Sequence, residues 1–141
     1  MAVKIRGEDC IFFQLAKAAQ TGSRFWSQKV AGLNLTATQA MGLRFLFDRA
    51  EVTSSELGAR TELDSATLTG ILDRLEAAGI AERKPNPTDR RAIQIHLTEK
   101  GKEVGKEVSR LMELANAEFL KGLNPSEVKE LGRLLAKVRA K

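Results

Sequence analysis

Side chains that commonly carry catalysis are scarce in this sequence. Its 141 residues include one histidine, His96, one cysteine, Cys10, and no tyrosine. An enzyme would therefore have to draw its general acid, base and nucleophile from a very small stock. Cysteine and histidine do not cluster as in a structural zinc site, and the glutamates at 99, 103 and 107 alternate with lysines as on a solvated helix face. We expect a protein that is not an enzyme and uses no metal or cofactor.

A different set of residues has the chemistry of nucleic-acid recognition. Positions 65–70 read Ser-Ala-Thr-Leu-Thr-Gly, a run of small and hydroxyl-bearing side chains. Threonine can exchange hydrogen bonds with base edges and touch thymine methyls, and small residues let a helix approach bases closely. Free backbone N–H groups at a helix start can bind phosphate. The alternative is that these residues only fill a solvent-exposed face. The candidate contacts are Ser65, Ala66, Thr67, Thr69 and Gly70.

A cluster of positive charge follows in the chain. The nine residues 83–91 contain four cations, one acid and two prolines. A stiff, cationic loop suits the minor groove of DNA, where the negative potential attracts arginine. Asp89 could hold the guanidinium of Arg91 bidentately and aim it before binding, or the two could form a surface ion pair that contributes about 0–1 kcal/mol. The candidate residues of this cluster are Arg83, Lys84, Asp89, Arg90 and Arg91.

Two capped helices and a hairpin are predicted to position both groups. Thr53 and Asp64 each stand before a helix of apolar periodicity, and a three-residue turn joins the two helices. Gly79 is placed as the residue that ends the second helix. Beyond it the apolar period shortens to two, which predicts strands at 80–84 and 93–97 joined by the cationic loop. Together these elements form a winged helix-turn-helix.

Long apolar helices are predicted on either side of this unit. Residues 10–33 carry two adjacent apolar rows at helical spacing, Thr98 caps a long helix, and Asn124-Pro125 starts the last one. A winged helix alone could not cover these faces, so we expect a homodimer. The predicted fold class is mainly α with a small β-hairpin wing (α+β). The predicted organisation is a helical dimerisation region at 1–34 and 98–141 and a winged helix-turn-helix DNA-binding domain at 35–97.

Net charge supports a polyanionic partner only weakly. The formal charge is +5 and the pI is near 9.6, but residues 53–97, which hold the candidate DNA contacts, contain six bases and seven acids. The four cations on a short loop, beside an uncharged helix surface, therefore favour DNA binding more than the net charge of the chain does. No apolar run approaches the roughly 18 residues of a membrane span, and the N-terminus lacks a signal-peptide core. We expect a cytoplasmic protein without a membrane partner.

Five motifs occur in one register along the chain. They are Leu35-Thr36-x-x-Gln39, Asp64-Ser65-Ala66-Thr67-Leu68-Thr69, Leu72-Asp73-Arg74-Leu75-Glu76-x-x-Gly79-Ile80-x-x-Arg83, Asp89-x-Arg91 and Leu97-Thr98-x-x-Gly101. In this order and spacing they resemble the MarR (multiple antibiotic resistance regulator) family of winged-helix transcription factors. The resemblance covers essentially the whole chain, because the flanking helices have the family's order and lengths.

The resemblance implies a mode of DNA binding. It implies a homodimer built from the first helix and the last two, and a palindromic DNA site with residues 65–69 in the major groove. Arg91, oriented by Asp89, would reach the adjacent minor groove, and Arg74 matches a position that usually meets the DNA backbone. Two-fold symmetry would place the recognition helices about 34 Å apart, one helical turn of DNA.

The resemblance also implies a regulatory ligand. Many family members release DNA when a small aromatic acid or another anion binds between the dimer arms and the DNA-binding lobe. The candidate lining residues are Phe12, Phe13, Lys17, Arg24 and Trp26. For each of them the alternative is an ordinary core or surface position.

Cys10 raises a redox alternative. One branch of the family senses organic hydroperoxides through a cysteine in the first helix, whose thiolate needs hydroxyl partners, commonly tyrosines. This chain has no tyrosine, and Phe12 falls nearest to that branch's sensing position when counted back from Leu35. An unreactive thiol is the other interpretation of Cys10.

These observations predict a dimeric, sequence-specific DNA-binding transcriptional regulator in a bacterium or archaeon, associated with the nucleoid. We expect a repressor of a pseudo-palindromic operator that a small anionic aromatic effector releases. One alternative is a cysteine-based redox-sensing regulator, and the other is a winged-helix protein-interaction module without specific DNA binding. Steep salt dependence and a preference for a palindrome would separate a regulator from the interaction module.

Overall fold

Six α-helices and a small antiparallel sheet make up residues 3–89 and 91–140, the part of the chain that the computed structural model describes. The helices are α1 (Ile11–Val30), α2 (Ala37–Phe47), α3 (Ser54–Thr61), α4 (Ser65–Ala77), α5 (Glu99–Phe119) and α6 (Pro125–Arg139). The strands are β1 (Glu51–Thr53), β2 (Ala81–Pro85) and β3 (Ile93–Leu97). The predicted fold class, mainly α with a β-hairpin wing, is confirmed.

Side-chain caps fix where the helices begin. At α2, Thr36 Oγ1 accepts a hydrogen bond from the Gln39 N–H at 3.1 Å, and Gln39 Oε1 accepts one from the Thr36 N–H at 3.1 Å. Asn124 and Glu127 form the same reciprocal capping box at α6. Single side-chain caps begin α3, α4 and α5 at Thr53, Asp64 and Thr98. Each cap satisfies an N–H group that the helix itself cannot, so the predicted starts match the observed ones.

A glycine turn ends α4 and directs the chain into the wing. Gly79 has a φ of 73°, a backbone conformation that favours glycine. Its N–H donates to the Glu76 carbonyl at 3.0 Å, and the Ile80 N–H donates to the Leu75 carbonyl at 2.9 Å. These two bonds form a Schellman motif, so β2 leaves α4 along a fixed direction.

The sheet has one strand more than the sequence predicts. β2 and β3 form the expected hairpin, and β1 adds to the other side of β3, so that the strand order is β1-β3-β2. β1 contains only Glu51–Thr53, which is too short to show an alternating pattern. Ile95 at the centre of β3 is buried, whereas Ile93 near the wing tip is exposed.

The hydrophobic core lies within the winged helix-turn-helix and extends to both flanking helices. Leu43, Leu57, Leu75 and Ile95 form its centre, and Val108 joins from α5. α5 approaches closely because a Cβ at position 101 would lie 2.0 Å from the Ile80 carbonyl oxygen, and one at 105 would lie 2.5 Å from the Phe47 ring. Glycine at 101 and 105 thus lets α5 seat against the lobe that carries α4.

The outer helices keep much of their apolar surface uncovered within one chain. α6 contains no buried residue, and its apolar side chains at 131, 134, 135 and 138 remain 38–44% exposed. Ile11, Phe12 and Phe13 at the start of α1 are exposed as well. Within the described residues, none of the helices is both long and apolar enough to cross a membrane.

Candidate nucleic-acid interface

The outward face of α4 brings the candidate base-contacting residues together. Leu68, Ile71, Leu72 and Leu75 are buried against the core. On the opposite side lie the five predicted contacts, all exposed except the half-buried glycine: Ser65, Ala66, Thr67, Thr69 and Gly70. The helical spacing of the sequence thus correctly predicted that these residues face outward. That they contact DNA stays a prediction.

The start of α4 is held by Asp64. Its Oδ1 accepts from the Thr67 N–H at 2.8 Å, and its Oδ2 accepts from the Thr67 hydroxyl at 2.8 Å. These bonds hold the pKa of Asp64 below its ordinary value. Thr67 is therefore not the free donor that the sequence suggested, because its proton is directed to Asp64. The Thr69 hydroxyl has no hydrogen-bond partner in the described part of the chain.

A groove runs along the other side of this face. Thr38 and Gln39 at the start of α2 line it together with Thr67, Gly70 and Arg74 of α4. Arg74 is exposed and forms no ion pair with any residue in 3–89 or 91–140. It can therefore reach the phosphate backbone of a duplex that contacts α4.

Asp89 orders the wing tip through the backbone and not through a guanidinium. Its Oδ1 accepts from the Arg91 N–H at 3.0 Å, and its carbonyl accepts from the Ala92 N–H at 3.1 Å. The expectation that the Asp89 carboxylate holds the Arg91 guanidinium bidentately is therefore wrong. A carboxylate two residues upstream reaches a backbone N–H without ordering a long side chain, as in an Asx turn. Arg90, also predicted as a wing contact, lies outside the described residues.

Arg83 is not a free cation, in contrast to the expectation from its place in the wing. Its guanidinium contacts the Asp73 carboxylate and lies 3.3 Å from Glu76 Oε1. Hydrogen bonds from Arg83 lower the pKa of Glu76, and hydrogen bonds to Asp73 and Glu76 raise the pKa of Arg83. Lys84 lies 3.4 Å from Glu82 in an exposed pair.

Ion pairs leave few described cations of residues 53–97 available to a polyanion. Arg60, Arg83 and Lys84 are neutralised by nearby carboxylates. Of the described cations in this region, Arg74 and Arg91 are those without an ion-pair partner. One lies on α4 and the other at the wing.

A crevice between α1, α2 and α5 is a candidate site for a small ligand, because aromatic and methionine side chains line it. Its volume is about 170 Å³, which is comparable to an engineered cavity that holds one benzene ring. Its lining side chains include Phe25, Trp26, Met41, Met112 and Phe119.

Of the predicted ligand residues, Trp26 is the one that lines this crevice. Its Nε1 donates to the Ala37 carbonyl at 3.1 Å. Phe12, Phe13, Lys17 and Arg24 lie on exposed parts of α1, and the Lys17 ammonium sits 5.6 Å from the centre of the Phe13 ring. Met41, Met112 and Phe119 were missed as lining residues because their periodicity also fits ordinary core positions.

Cys10 stands immediately before α1, half-buried, with its thiol free. Within residues 3–89 and 91–140 no group of three or more cysteine, histidine or carboxylate side chains could hold a metal. Redox sensing by Cys10 stays a prediction.

Comparisons with known proteins agree with this geometry. A sequence profile described as the MarR family matches residues 35–93. The HTH-type transcriptional regulator MgrA of Staphylococcus aureus is 34% identical over 128 residues, which cover 89% of this chain and 85% of MgrA.

Two solved structures match nearly the whole chain. A structure of Bordetella bronchiseptica BpsR, concerning regulation of its DNA binding by 6-hydroxynicotinic acid, has a TM-score of 0.91, 26% identity and 99% coverage of both chains. A variant of E. coli MarR in complex with operator DNA has a TM-score of 0.85 and 30% identity, and the match covers 97% of this chain and 99% of that one. By its fold, its sequence relatives and the exposed face of α4, this chain belongs to the MarR family of DNA-binding transcriptional regulators.

Proposed function

We propose that the chain works as a homodimer that binds a pseudo-palindromic operator, represses transcription, and is released by a small anionic aromatic ligand. One observation carries this proposal. The outward face of the first two turns of α4 is built of small side chains, and two cations without ion-pair partners among the described residues, Arg74 and Arg91, accompany it. The protein is proposed to act in the cytoplasm of a bacterium or archaeon, on the nucleoid, and not as an enzyme.

Each part of this surface has a proposed role on DNA. Ser65 and the first N–H groups of α4 bind phosphate, while Ala66, Thr67, Thr69 and Gly70 face base edges in the major groove. Arg74 contacts the backbone on the α2 side of the helix. Arg91 enters the adjacent minor groove, and Asp89 holds the turn that presents it. Arg90 adds positive charge to the wing, and Lys84, whose pair with Glu82 is exposed, can exchange that carboxylate for a phosphate.

Dimerisation is supported by the uncovered apolar side chains of the outer helices. A chain that exposed the α6 face and the start of α1 to water would carry a large apolar patch, which is unusual for a monomer. A second copy would cover both by two-fold symmetry. The same symmetry would present two α4 helices to successive major grooves.

Ligand release is supported by the position of the crevice at Trp26. It lies between α1 and α5, which lead to the proposed dimer arms, and α2, which packs on α4. An aromatic ligand there would contact both parts and bias their relative arrangement. The regulation of BpsR by 6-hydroxynicotinic acid is a precedent in a similar structure.

The proposal is tested by selecting the preferred duplex from a random pool and titrating it with purified protein. We expect a palindromic sequence and a steep, linear fall of log affinity with log salt concentration. Arg91→Ala should weaken binding by about 1–3 kcal/mol. Thr69→Glu should abolish specific binding and leave the thermal melt nearly unchanged, because position 69 is exposed.

Lys121→Ala is the matched control for these variants. This exposed lysine follows the far end of α5, about 30 Å along that helix from the wing, so its loss should not change affinity. Equal affinity of the wild-type protein for all duplexes would contradict sequence-specific regulation and would favour a protein-interaction module.

A further inference from the structure

Two carboxylates lie on the helix that faces DNA in the proposed complex. Asp73 and Glu76 belong to α4 and are both exposed, outside its buried face. Negative charge on a helix in the major groove repels the phosphates. Pairing of these carboxylates with a cation of the same chain would offset this repulsion.

Both carboxylates turn to the same residue of the wing. The guanidinium of Arg83, on β2, contacts Asp73 and lies 3.3 Å from Glu76 Oε1. The Arg83 N–H also donates to Glu76 Oε2 at 3.1 Å, so Glu76 holds both the side chain and the backbone of the strand. Within the described residues, Arg83 makes all the hydrogen bonds and ion pairs that join α4 to residues 81–97.

The contact lies beside a cleft formed by α3, the turn before α4, α4 and the wing. This cleft has a volume of about 370 Å³ and is bordered by Thr69 and Leu72 of α4, by Arg83, and by Ile93 of β3. The turn at Gly79 fixes the base of the wing, but the strands above it could bend toward or away from α4. The bonds from Arg83, two residues beyond Ala81, to the last two turns of α4 restrain that bending.

We propose that Arg83 is a positioning residue, which with Asp73 and Glu76 forms a clamp that sets the distance between α4 and the wing tip. The inference rests on the proposed function of this face. α4 and Arg91 must reach adjacent grooves of one duplex at the same time, so the spacing between them governs operator affinity. Arg83 itself does not contact DNA, since its guanidinium is occupied by the two carboxylates.

The charge-removing variant Asp73→Asn/Glu76→Gln tests the clamp because two models predict opposite signs. Without a clamp, removing two negative charges from the DNA-facing side strengthens binding to every duplex. With the clamp, operator affinity falls by about 3- to 10-fold, while affinity for random duplex stays equal or rises. Glu56→Gln is the matched control, because Glu56 is an exposed carboxylate of α3 without an ion pair among the described residues. It should leave operator affinity equal or slightly higher.

Arg83→Gln should give the same loss of operator affinity as the carboxylate variant, and the triple variant should be no worse than either. For Arg83→Gln, the slope of log affinity against log salt concentration should equal that of the wild type. Loss of a phosphate contact would reduce this slope by about 0.9, and the clamp includes no such contact for Arg83. In hydroxyl-radical footprints, minor-groove protection at the wing should weaken while protection by α4 persists.

The outcomes separate the clamp from the proposed function. If the wild type prefers no duplex, the proposed function fails. If the wild type is specific but Asp73→Asn/Glu76→Gln binds the operator as well as the wild type or better, the clamp is wrong. A salt slope reduced by about one in Arg83→Gln would also overturn it, by making Arg83 a direct phosphate contact.

Discussion

Gly70 occupies a position for which the chain itself gives no steric reason to use glycine. It lies inside α4, where glycine costs about 1 kcal/mol relative to alanine. A Cβ at this position would meet no atom within 4 Å, whereas one at Gly101 would strike the Ile80 carbonyl. Glycine at 101 is thus explained by its close contact with the Ile80 backbone of the same chain. At 70 we propose that the reason is the close approach of DNA to the helix.

Gly70→Ala should therefore change stability and DNA binding in opposite directions. The free energy of unfolding should rise by about 0.5–1 kcal/mol, because alanine is the better helix residue and has room. Operator affinity should fall, because the added methyl group separates α4 from the bases. Urea unfolding and fluorescence titration measure the two quantities. A variant that is more stable and binds the operator as tightly as the wild type would refute close approach at this residue.

Sequence patterns at the residue scale predicted which side chains face outward but not how they pair. The outward face of α4 follows from its spacing alone, as Thr69 illustrates. The partners of Thr67, Asp89 and Arg83 do not follow, because each depends on local backbone geometry or on a residue distant in sequence. Arg83 and Asp73 are ten residues apart, and only the turn at Gly79 brings them together.

At the scale of elements, the helices were predictable because they carry their own start signals. Asp64 and Thr98 cap helices from within the local sequence. β1 was not predictable, since a three-residue strand exists only through its pairing with β3. The residues that make β1 a strand, Gln94–His96, are its pairing partners and lie more than 40 positions away in the chain.

The cap of α4 makes part of the stability depend on pH. Hydrogen bonds from Thr67 hold the pKa of Asp64 below its ordinary value of 3.8. A carboxylate with a lowered pKa contributes stability that is fully present above its unfolded-state value and is lost as the pH falls through the folded-state value. For Asp64 this window lies below about pH 3.8.

Asp64→Asn should remove that pH dependence while keeping the cap, because asparagine caps helices about as well as aspartate and does not titrate. Urea unfolding at pH 6 and at pH 3 should show a larger loss of stability for the wild type than for the variant. Glu56→Gln, in the helix before, serves as a control for removing one carboxylate of this lobe. Equal losses in the wild type and in Asp64→Asn would contradict a titrating cap.

At the scale of the whole molecule, most of the exposed apolar side chains lie on the outer helices, although Ile93 is exposed near the wing tip. α6, α5 and the start of α1 carry them, whereas the core of the winged helix-turn-helix is buried, with Val30 of α1 and Val108 of α5 packed into it. The sequence predicted the amphipathic faces of the outer helices and assigned the excess to dimerisation. It could not predict that α6 would have no buried residue at all, since periodicity does not tell which face meets its own chain and which meets a partner.

Leu135→Glu tests whether α6 joins two copies. Leu135 is 42% exposed in the single chain, so a charge there should leave the subunit core intact and far-UV circular dichroism nearly unchanged. In a dimer the same charge would be buried without a partner, which is strongly unfavourable. The variant should therefore sediment as a monomer where the wild type sediments as a dimer. Affinity for the full palindrome should fall about 100-fold, because each monomer holds a single half-site.

Lys129→Glu on the opposite face of α6 is the control, since it adds the same acid outside the apolar stripe. It should remain dimeric and bind the operator nearly as the wild type does. Because the proposed operator contacts lie on α4 and the wing, a folded Leu135→Glu monomer should keep its weak affinity for an isolated half-site. If Leu135→Glu stays dimeric with full operator affinity, the apolar face of α6 is not the contact between two copies. The two half-sites would then have to be joined through another surface, such as the exposed apolar start of α1.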